Sequence, residues 1–160
     1  MPFGFLKSPP LSARQQRLQS TTLFETLSPL EIKFVDGLMH ERRYLRDEII
    51  FDEGEDGQAL YLIMSGRVLV SRDIGGPSEM MMTLEPGTVF GDLALVDNAP
   101  RSAQTRALEP CELAVFFRDD FLALMDTDAV TGYKISLAIA RHMARRLRFQ
   151  LEGQNQQEAL

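Results

Sequence analysis

A short segment at residues 90–103 collects the residue types that hold a small anion. It reads Phe-Gly-Asp-Leu-Ala-Leu, then a four-residue insert, then Pro-Arg-Ser-Ala. Arg101 offers a planar fork of donors that suits a phosphate, and backbone N–H groups at a short helix start add further donors. The carboxylate of Asp92 is an acceptor that suits a sugar hydroxyl. The segment therefore predicts a loop that binds one small anionic ligand.

This loop resembles the phosphate-binding cassette of the cyclic nucleotide-binding domain family. The family pattern is Phe-Gly-Glu-Leu-Ala-Leu, a short insert, and Pro-Arg followed by two small residues. One position departs, because Asp92 stands where the family has glutamate. Further matches lie at residues 54–68, which resemble the family's early strands, and at 143–147, which resemble its long C-terminal helix. The resemblance covers about residues 24–152, nearly the whole chain.

The resemblance implies that the loop binds the cyclic phosphate and ribose of cAMP or cGMP. Arg101 would pair with the phosphate, and Asp92 would face the ribose 2′-hydroxyl. Aspartate reaches about 1.5 Å less far than glutamate, so the ribose contact needs a shifted loop or a bridging water, or it is lost. Alternatively, Asp92 only caps the short helix. The implied ligand-binding residues are Gly91, Asp92, Leu93, Ala94, Arg101, Ser102 and Ala103.

A long amphipathic helix is predicted at residues 131–153. Its apolar stripe consists of Ile135, Ile139, Met143, Leu147 and Leu151. By resemblance this helix pairs with its twin in a homodimer, and Gln150 falls at a position that contacts the base; alternatively, the stripe packs on its own barrel. The solvated face is expected to carry Arg141, Arg145, Arg146 and Arg148.

Turn and capping residues along the rest of the chain favour short strands with flanking helices. Ser28-Pro29-Leu30-Glu31 predicts a helix start with a capping box, and the apolar face of that helix is expected to hold Leu30, Phe34, Val35 and Leu38. From Glu41 onward, short apolar runs alternate with turns such as Gly75-Gly76-Pro77. Strands at this spacing are typical of an all-β sandwich or barrel.

The expected fold is mainly β with flanking helices: a β-roll or jelly-roll barrel of the cyclic nucleotide-binding type plus a long C-terminal helix. An N-terminal arm with a short helix occupies 1–22, the β-roll with its flanking helices 23–130, the C-terminal helix 131–153 and a frayed tail 154–160. By resemblance, a hinge lies around residues 126–132.

The composition of the chain indicates which kinds of partner and which location to expect. A net charge of −6 and a pI of about 4.9 argue against a broad surface for nucleic acid or an anionic membrane. The single cysteine, Cys111, is expected as a packed core thiol. The sequence shows neither a signal peptide nor an apolar run long enough to cross a membrane, which favours a cytoplasmic location.

These features predict a stand-alone regulatory module that binds a cyclic nucleotide and signals by moving its C-terminal helix, to an effector protein or through its dimer. Because the sequence ends at Leu160, direct DNA binding is not expected. Catalysis and a metal or cofactor are not expected either, since His40 and His142 are far apart and lack ligand spacing. The alternative is the same fold without cyclic nucleotide binding, as a scaffold, a dimerisation module or a receptor for another small anion.

Overall fold

The computed structural model describes the backbone of residues 9–73 and 79–158 and the side chains of 9–73 and 81–153. Residues 1–8 of the predicted arm, the predicted turn at 75–77 and the last two residues lie outside this range. The strands are β1 His40–Tyr44, β2 Ile49–Phe51, β3 Ala59–Ser65, β4 Val68–Asp73, β5 Glu79–Leu84, β6 Val89–Phe90, β7 Gln104–Ala107 and β8 Cys111–Phe117. The helices are α1 Ala13–Gln19, α2 Pro29–Leu38, α3 Arg118–Thr127 and α4 Ala129–Glu158, with a 3₁₀ turn at Asp92–Leu95.

The strands form two antiparallel sheets of four strands each. One sheet has the order β1-β8-β3-β6 and the other β2-β7-β4-β5. Neighbours in both sheets are mostly distant in sequence, as when β3 pairs with β8 through Leu60 opposite Phe116. This arrangement, with helices outside it, confirms the predicted jelly-roll with a long C-terminal helix.

Strand β3 is buried on both faces, and alternation divides its residues between two cores. Ala59 and Ile63 contribute to the core between the sheets. Leu60 and Leu62 point the other way and join the helices in a second core. The sheet that contains β3 is thereby fixed on both sides, so the loops that leave it have a rigid support.

Helix α2 begins as predicted but buries a different face. The Ser28 side chain accepts from the Glu31 N–H, and the Glu31 carboxylate accepts from the Ser28 N–H, which is a complete capping box. Ile32 and Val35 are fully buried, whereas Leu30 is 67% exposed and Phe34 is also exposed. The predicted face was therefore wrong at Leu30 and Phe34, because the apolar residues of this helix allow more than one stripe and packing on the sheet selects one.

Helix α4 is divided into a packed half and an open half. Ile135 and Ile139 are buried in the helical core, while Leu147 is 57% exposed and Met143 and Leu151 are exposed as well. The helix reaches Glu158, beyond the end predicted at residue 153. Glutamine and glutamate are good helix formers and one glycine costs only about 1 kcal/mol, so the helix continues where fraying was expected.

The break between α3 and α4 falls at Asp128, within the segment predicted as a hinge. The Asp128 carboxylate accepts from the Thr131 N–H at 3.2 Å and from the Thr131 hydroxyl at 2.6 Å. Both bonds lower the pKa of the Asp128 carboxyl, the hydroxyl contributing most.

Cys111 is buried in the core between the sheets, as predicted, and its burial raises the pKa of its thiol.

Candidate functional site

A cavity of about 460 Å³ opens beside the 3₁₀ turn and the segment that follows Pro100. Its walls include barrel residues such as Phe51, Val70 and Leu84. All seven residues predicted to bind ligand line it: Gly91, Asp92, Leu93, Ala94, Arg101, Ser102 and Ala103. The loop that carries the sequence motif therefore forms one wall of a single concave site.

Gly91 allows the loop to approach Arg101 closely. Its backbone has a φ of 70°, in the left-handed region that glycine adopts without strain. A Cβ at this position would lie 2.7 Å from Nη1 of Arg101 and 3.2 Å from the carbonyl oxygen of Ala59. Glycine is thus needed here for both its conformation and its size.

Arg101 is a buried cation held by backbone carbonyls and an aromatic ring. Its Nη2 donates to the Ala59 carbonyl at 2.7 Å, and its Nη1 donates to the Gly91 carbonyl at 3.2 Å. The guanidinium carbon lies 4.1 Å from the centre of the Phe51 ring. These contacts fix the guanidinium at the wall of the cavity before any ligand arrives.

Arg101 has no counter-ion among the residues that the structure describes. It is only 9% exposed, and none of the ion pairs among the described residues includes it. Its Nε is buried with no hydrogen-bond partner among the described residues. Desolvation by burial lowers the pKa of the guanidinium, which nevertheless stays charged near neutral pH. A buried, unpaired cation beside an open cavity favours an anionic ligand.

Asp92 lies in the same cavity but does not pair with Arg101. It is 5% exposed, and its Oδ2 has no hydrogen-bond partner among the described residues. Nε2 of His142, on α4, lies 3.7 Å from Oδ2. The cavity therefore has a cationic group and a carboxylate at separate places, which suits a ligand with an anionic part and a hydroxyl part.

Two residues of α4 also line the cavity, and neither was predicted from the sequence to do so. His142 and Arg146 are one helical turn apart and reach the same opening. Arg146 was expected on the solvated face; it is exposed, yet it borders the cavity. The four-residue spacing was visible in the sequence, but only the packing of α4 shows which of its turns faces the cassette.

Gln150, the predicted base contact, lies outside the group that lines the cavity. It is exposed on α4, one further turn beyond Arg146, about 6 Å along the axis. Its role in recognising a base stays a prediction.

Among the described residues, no helix is long and apolar enough to span a membrane, and no three His, Cys, Asp or Glu side chains are grouped to hold a metal ion.

Known proteins are similar to this chain in sequence and in fold. Residues 41–128 match the family model of the cyclic nucleotide-binding domain. The chain belongs to the cyclic nucleotide-binding domain family, which confirms the resemblance drawn from the cassette.

Two groups of regulatory proteins are similar to the chain in sequence. It is 35% identical over 127 residues to the cyclic AMP receptor protein of Thermus thermophilus, covering 79% of this chain and 59% of that one. It is 36% identical over 90 residues to the cAMP-dependent protein kinase regulatory subunit of Mycosarcoma maydis, covering 56% of this chain and 17% of that one. The chain thus spans less than two thirds of the length of these relatives.

Solved structures are similar to this chain in fold as well as in sequence. The Thermus thermophilus catabolite activator protein matches with a TM-score of 0.76 at 35% identity, covering 84% of this chain and 62% of that one. The regulatory domain of Toxoplasma gondii PKA, solved with cAMP, matches with a TM-score of 0.63 at 34% identity, covering 68% and 42%. Both structures therefore share the fold of this chain over more than two thirds of its length.

Proposed function

We propose that this chain is a regulatory sensor domain that binds a cyclic nucleotide, cAMP or cGMP, through its phosphate. The observation that carries the proposal is the buried guanidinium of Arg101, which borders the cavity and has no counter-ion in the part of the chain that the structure describes. Relatives named for cAMP support cAMP as the first ligand to test.

The energetics suit such a ligand. A cyclic phosphate carries one negative charge, and a hydrogen bond to a charged group contributes about 1.5–3 kcal/mol net. The cavity, at about 460 Å³, falls within the usual range of small-molecule sites. Its mixture of apolar barrel residues, one buried cation and one buried carboxylate suits a base, a phosphate and a ribose.

The output proposed for this sensor is movement of α4. His142 and Arg146 place α4 against the cavity, and the break at Asp128 gives the helix a pivot. A ligand that binds one arrangement of α4 more tightly than another shifts the population toward it. The exposed stripe of Met143, Leu147 and Leu151 supports a homodimer through this helix, and an effector protein would then detect the change.

We propose a non-catalytic role, because the relatives described above are a receptor and kinase regulatory subunits. A second candidate function is the same fold with a different small anion as ligand. Asp92 supports it, because this carboxylate is shorter than the family glutamate and faces His142. Both candidates place an anion at Arg101, so they differ only in the rest of the ligand.

Calorimetric titration with cAMP, cGMP, 5′-AMP and inorganic phosphate separates the two candidates. Saturable binding of cAMP or cGMP that is much tighter than binding of 5′-AMP supports a cyclic nucleotide sensor and ranks the bases. Binding of inorganic phosphate or 5′-AMP alone supports the second candidate. Folded protein that binds none of the four contradicts both.

A further inference from the structure

Asp92 and His142 come from elements 50 residues apart in the chain and face each other in the cavity. Oδ2 of Asp92 lies 3.7 Å from Nε2 of His142, which is longer than a hydrogen bond. Oδ2 is buried and has no hydrogen-bond partner among the described residues. An acceptor and a ring nitrogen thus oppose each other without being bonded.

A hydroxyl group satisfies both sides of such a gap. It donates its proton to the carboxylate and accepts from an imidazole N–H at the same time. Leaving a buried carboxylate oxygen without a donor is unfavourable, so a ligand hydroxyl gains from entering here. A hydrogen atom in place of the hydroxyl gives neither bond.

We propose that Asp92 and His142 form a clamp for one ligand hydroxyl, and that His142 is a specificity-determining residue. The inference rests on the proposed function: where the ligand is a cyclic nucleotide, the clamped group is the ribose 2′-hydroxyl. Because aspartate is about one methylene shorter than the family's glutamate, the hydroxyl reaches Asp92 only when it lies toward α4. His142 supplies a second contact there and holds the hydroxyl within reach of the carboxylate.

The charges around the clamp keep its role separate from that of the phosphate site. Arg101 is engaged by the carbonyls of Gly91 and Ala59 and is not ion-paired with Asp92. Arg146, one turn beyond His142, and Asp97 are the other charged residues that line the cavity. Phosphate and hydroxyl are therefore recognised at two points, and the hydroxyl point includes α4.

The test is the preference of the full chain for cAMP over 2′-deoxy-cAMP, measured by calorimetry. Two hydrogen bonds lost with the hydroxyl, one of them to a carboxylate, predict a preference of about thirtyfold or more in the unaltered protein. His142→Gln keeps a nitrogen donor at similar reach and retains the preference. His142→Leu removes the donor, and the two nucleotides then bind equally. Arg145→Leu, on α4 but outside the cavity, retains the preference and serves as the matched control.

A rescue variant separates recognition from folding. In the His142→Leu background, Asp92→Glu lengthens the carboxylate so that it reaches the hydroxyl without the imidazole, and the preference for cAMP returns. If His142→Leu fails to fold by circular dichroism, the unaltered protein and His142→Gln still decide the outcome. A preference that survives in folded His142→Leu overturns the role of His142.

The remaining outcomes distinguish the clamp from the function on which it rests. Equal binding of cAMP and 2′-deoxy-cAMP by the unaltered protein overturns the clamp and leaves the sensor intact. Binding of neither nucleotide by folded protein overturns both.

Discussion

The guanidinium of Arg101 stacks over the ring of Phe51, with its central carbon 4.1 Å from the ring centre. A desolvated contact of this kind contributes about 2 kcal/mol, and it offsets part of the cost of burying the charge. None of the ion pairs among the described residues includes Arg101. We therefore expect this buried cation in the cavity wall to attract an anionic ligand.

Gly91→Ala is expected to weaken ligand binding through Arg101. The new Cβ would lie 2.7 Å from Nη1 of Arg101, at a backbone φ of 70°. We expect a loss of stability of about 1–2 kcal/mol from the left-handed backbone, and a loss of cAMP affinity greater than about tenfold because the guanidinium is displaced. Urea unfolding and calorimetry measure the two effects.

Gly87→Ala is the matched control for backbone strain. Gly87 has a φ of 89°, yet an added Cβ would meet nothing within 4 Å. Gly87→Ala should lower the free energy of unfolding by a similar amount and leave the affinity for cAMP unchanged. Equal affinity losses in both variants would show that strain, and not contact with Arg101, explains the Gly91 effect.

Gly132→Ala is expected to disturb the packing of α4 on α3. Its Cβ would lie 2.8 Å from Cγ and 3.0 Å from Cα of Met125, and that backbone cannot yield easily. Overpacking of this kind costs about 1–3 kcal/mol, more than the gain in helix propensity. Gly153→Ala, with nothing within 4 Å, should instead stabilise α4 slightly. Thermal unfolding that ranks the two variants in the opposite order contradicts this packing.

The cassette could be predicted from the sequence because its residues lie within fourteen consecutive positions. Gly91 and Arg101 are ten residues apart in this segment, so the motif is visible in the sequence, although Arg101 also donates to the distant carbonyl of Ala59. The capping box of Ser28 and Glu31 is local in the same way. In contrast, the buried face of α2 depends on the sheet beneath it. No local pattern in the sequence indicated that Ile32 would be buried and Leu30 exposed.

The part of the site that comes from α4 could not be predicted for the same reason. His142 meets Asp92 only after the barrel closes and α4 folds back onto it. The helix pattern gave the stripe that begins at Ile135, but not the turn that faces the cavity. Arg146 was therefore expected on the solvated face, although it borders the cavity.

Acid is expected to weaken the junction between α3 and α4 at Asp128. Hydrogen bonds from Thr131 hold the pKa of this carboxyl below its ordinary value of 3.8. Because the folded pKa is the lower one, the unfolded chain takes up the proton first. The stabilisation is therefore present above the ordinary pKa and is lost as the pH falls through it toward the folded pKa.

Asp128→Asn should accordingly make stability less dependent on pH below about pH 4. Asp126→Asn controls for the loss of one negative charge near the junction. Urea unfolding between pH 3 and 7 provides the comparison. An unchanged pH dependence in Asp128→Asn would show that the hydrogen bonds with Thr131 do not stabilise the folded chain.

Leu147→Gln should weaken the proposed homodimer by about tenfold or more, because a Leu buried in an interface contributes about 1.5–3 kcal/mol. Phe149 is the matched control: it is exposed on α4 but lies two residues away, on a different face. Sedimentation equilibrium should show weaker association for Leu147→Gln than for Phe149→Gln. A monomeric unaltered chain at all concentrations contradicts pairing through α4.

The most direct test of the account is calorimetric titration of cAMP into the unaltered chain, Arg101→Ala and Arg106→Ala. Arg106 donates to the carbonyl of Asp47 and lies outside the cavity, so it controls for the loss of an arginine. We predict saturable binding to the unaltered chain and to Arg106→Ala, and a loss greater than about tenfold in Arg101→Ala. Binding by Arg101→Ala as tight as that of the unaltered chain would contradict the central claim that Arg101 is the anion receptor.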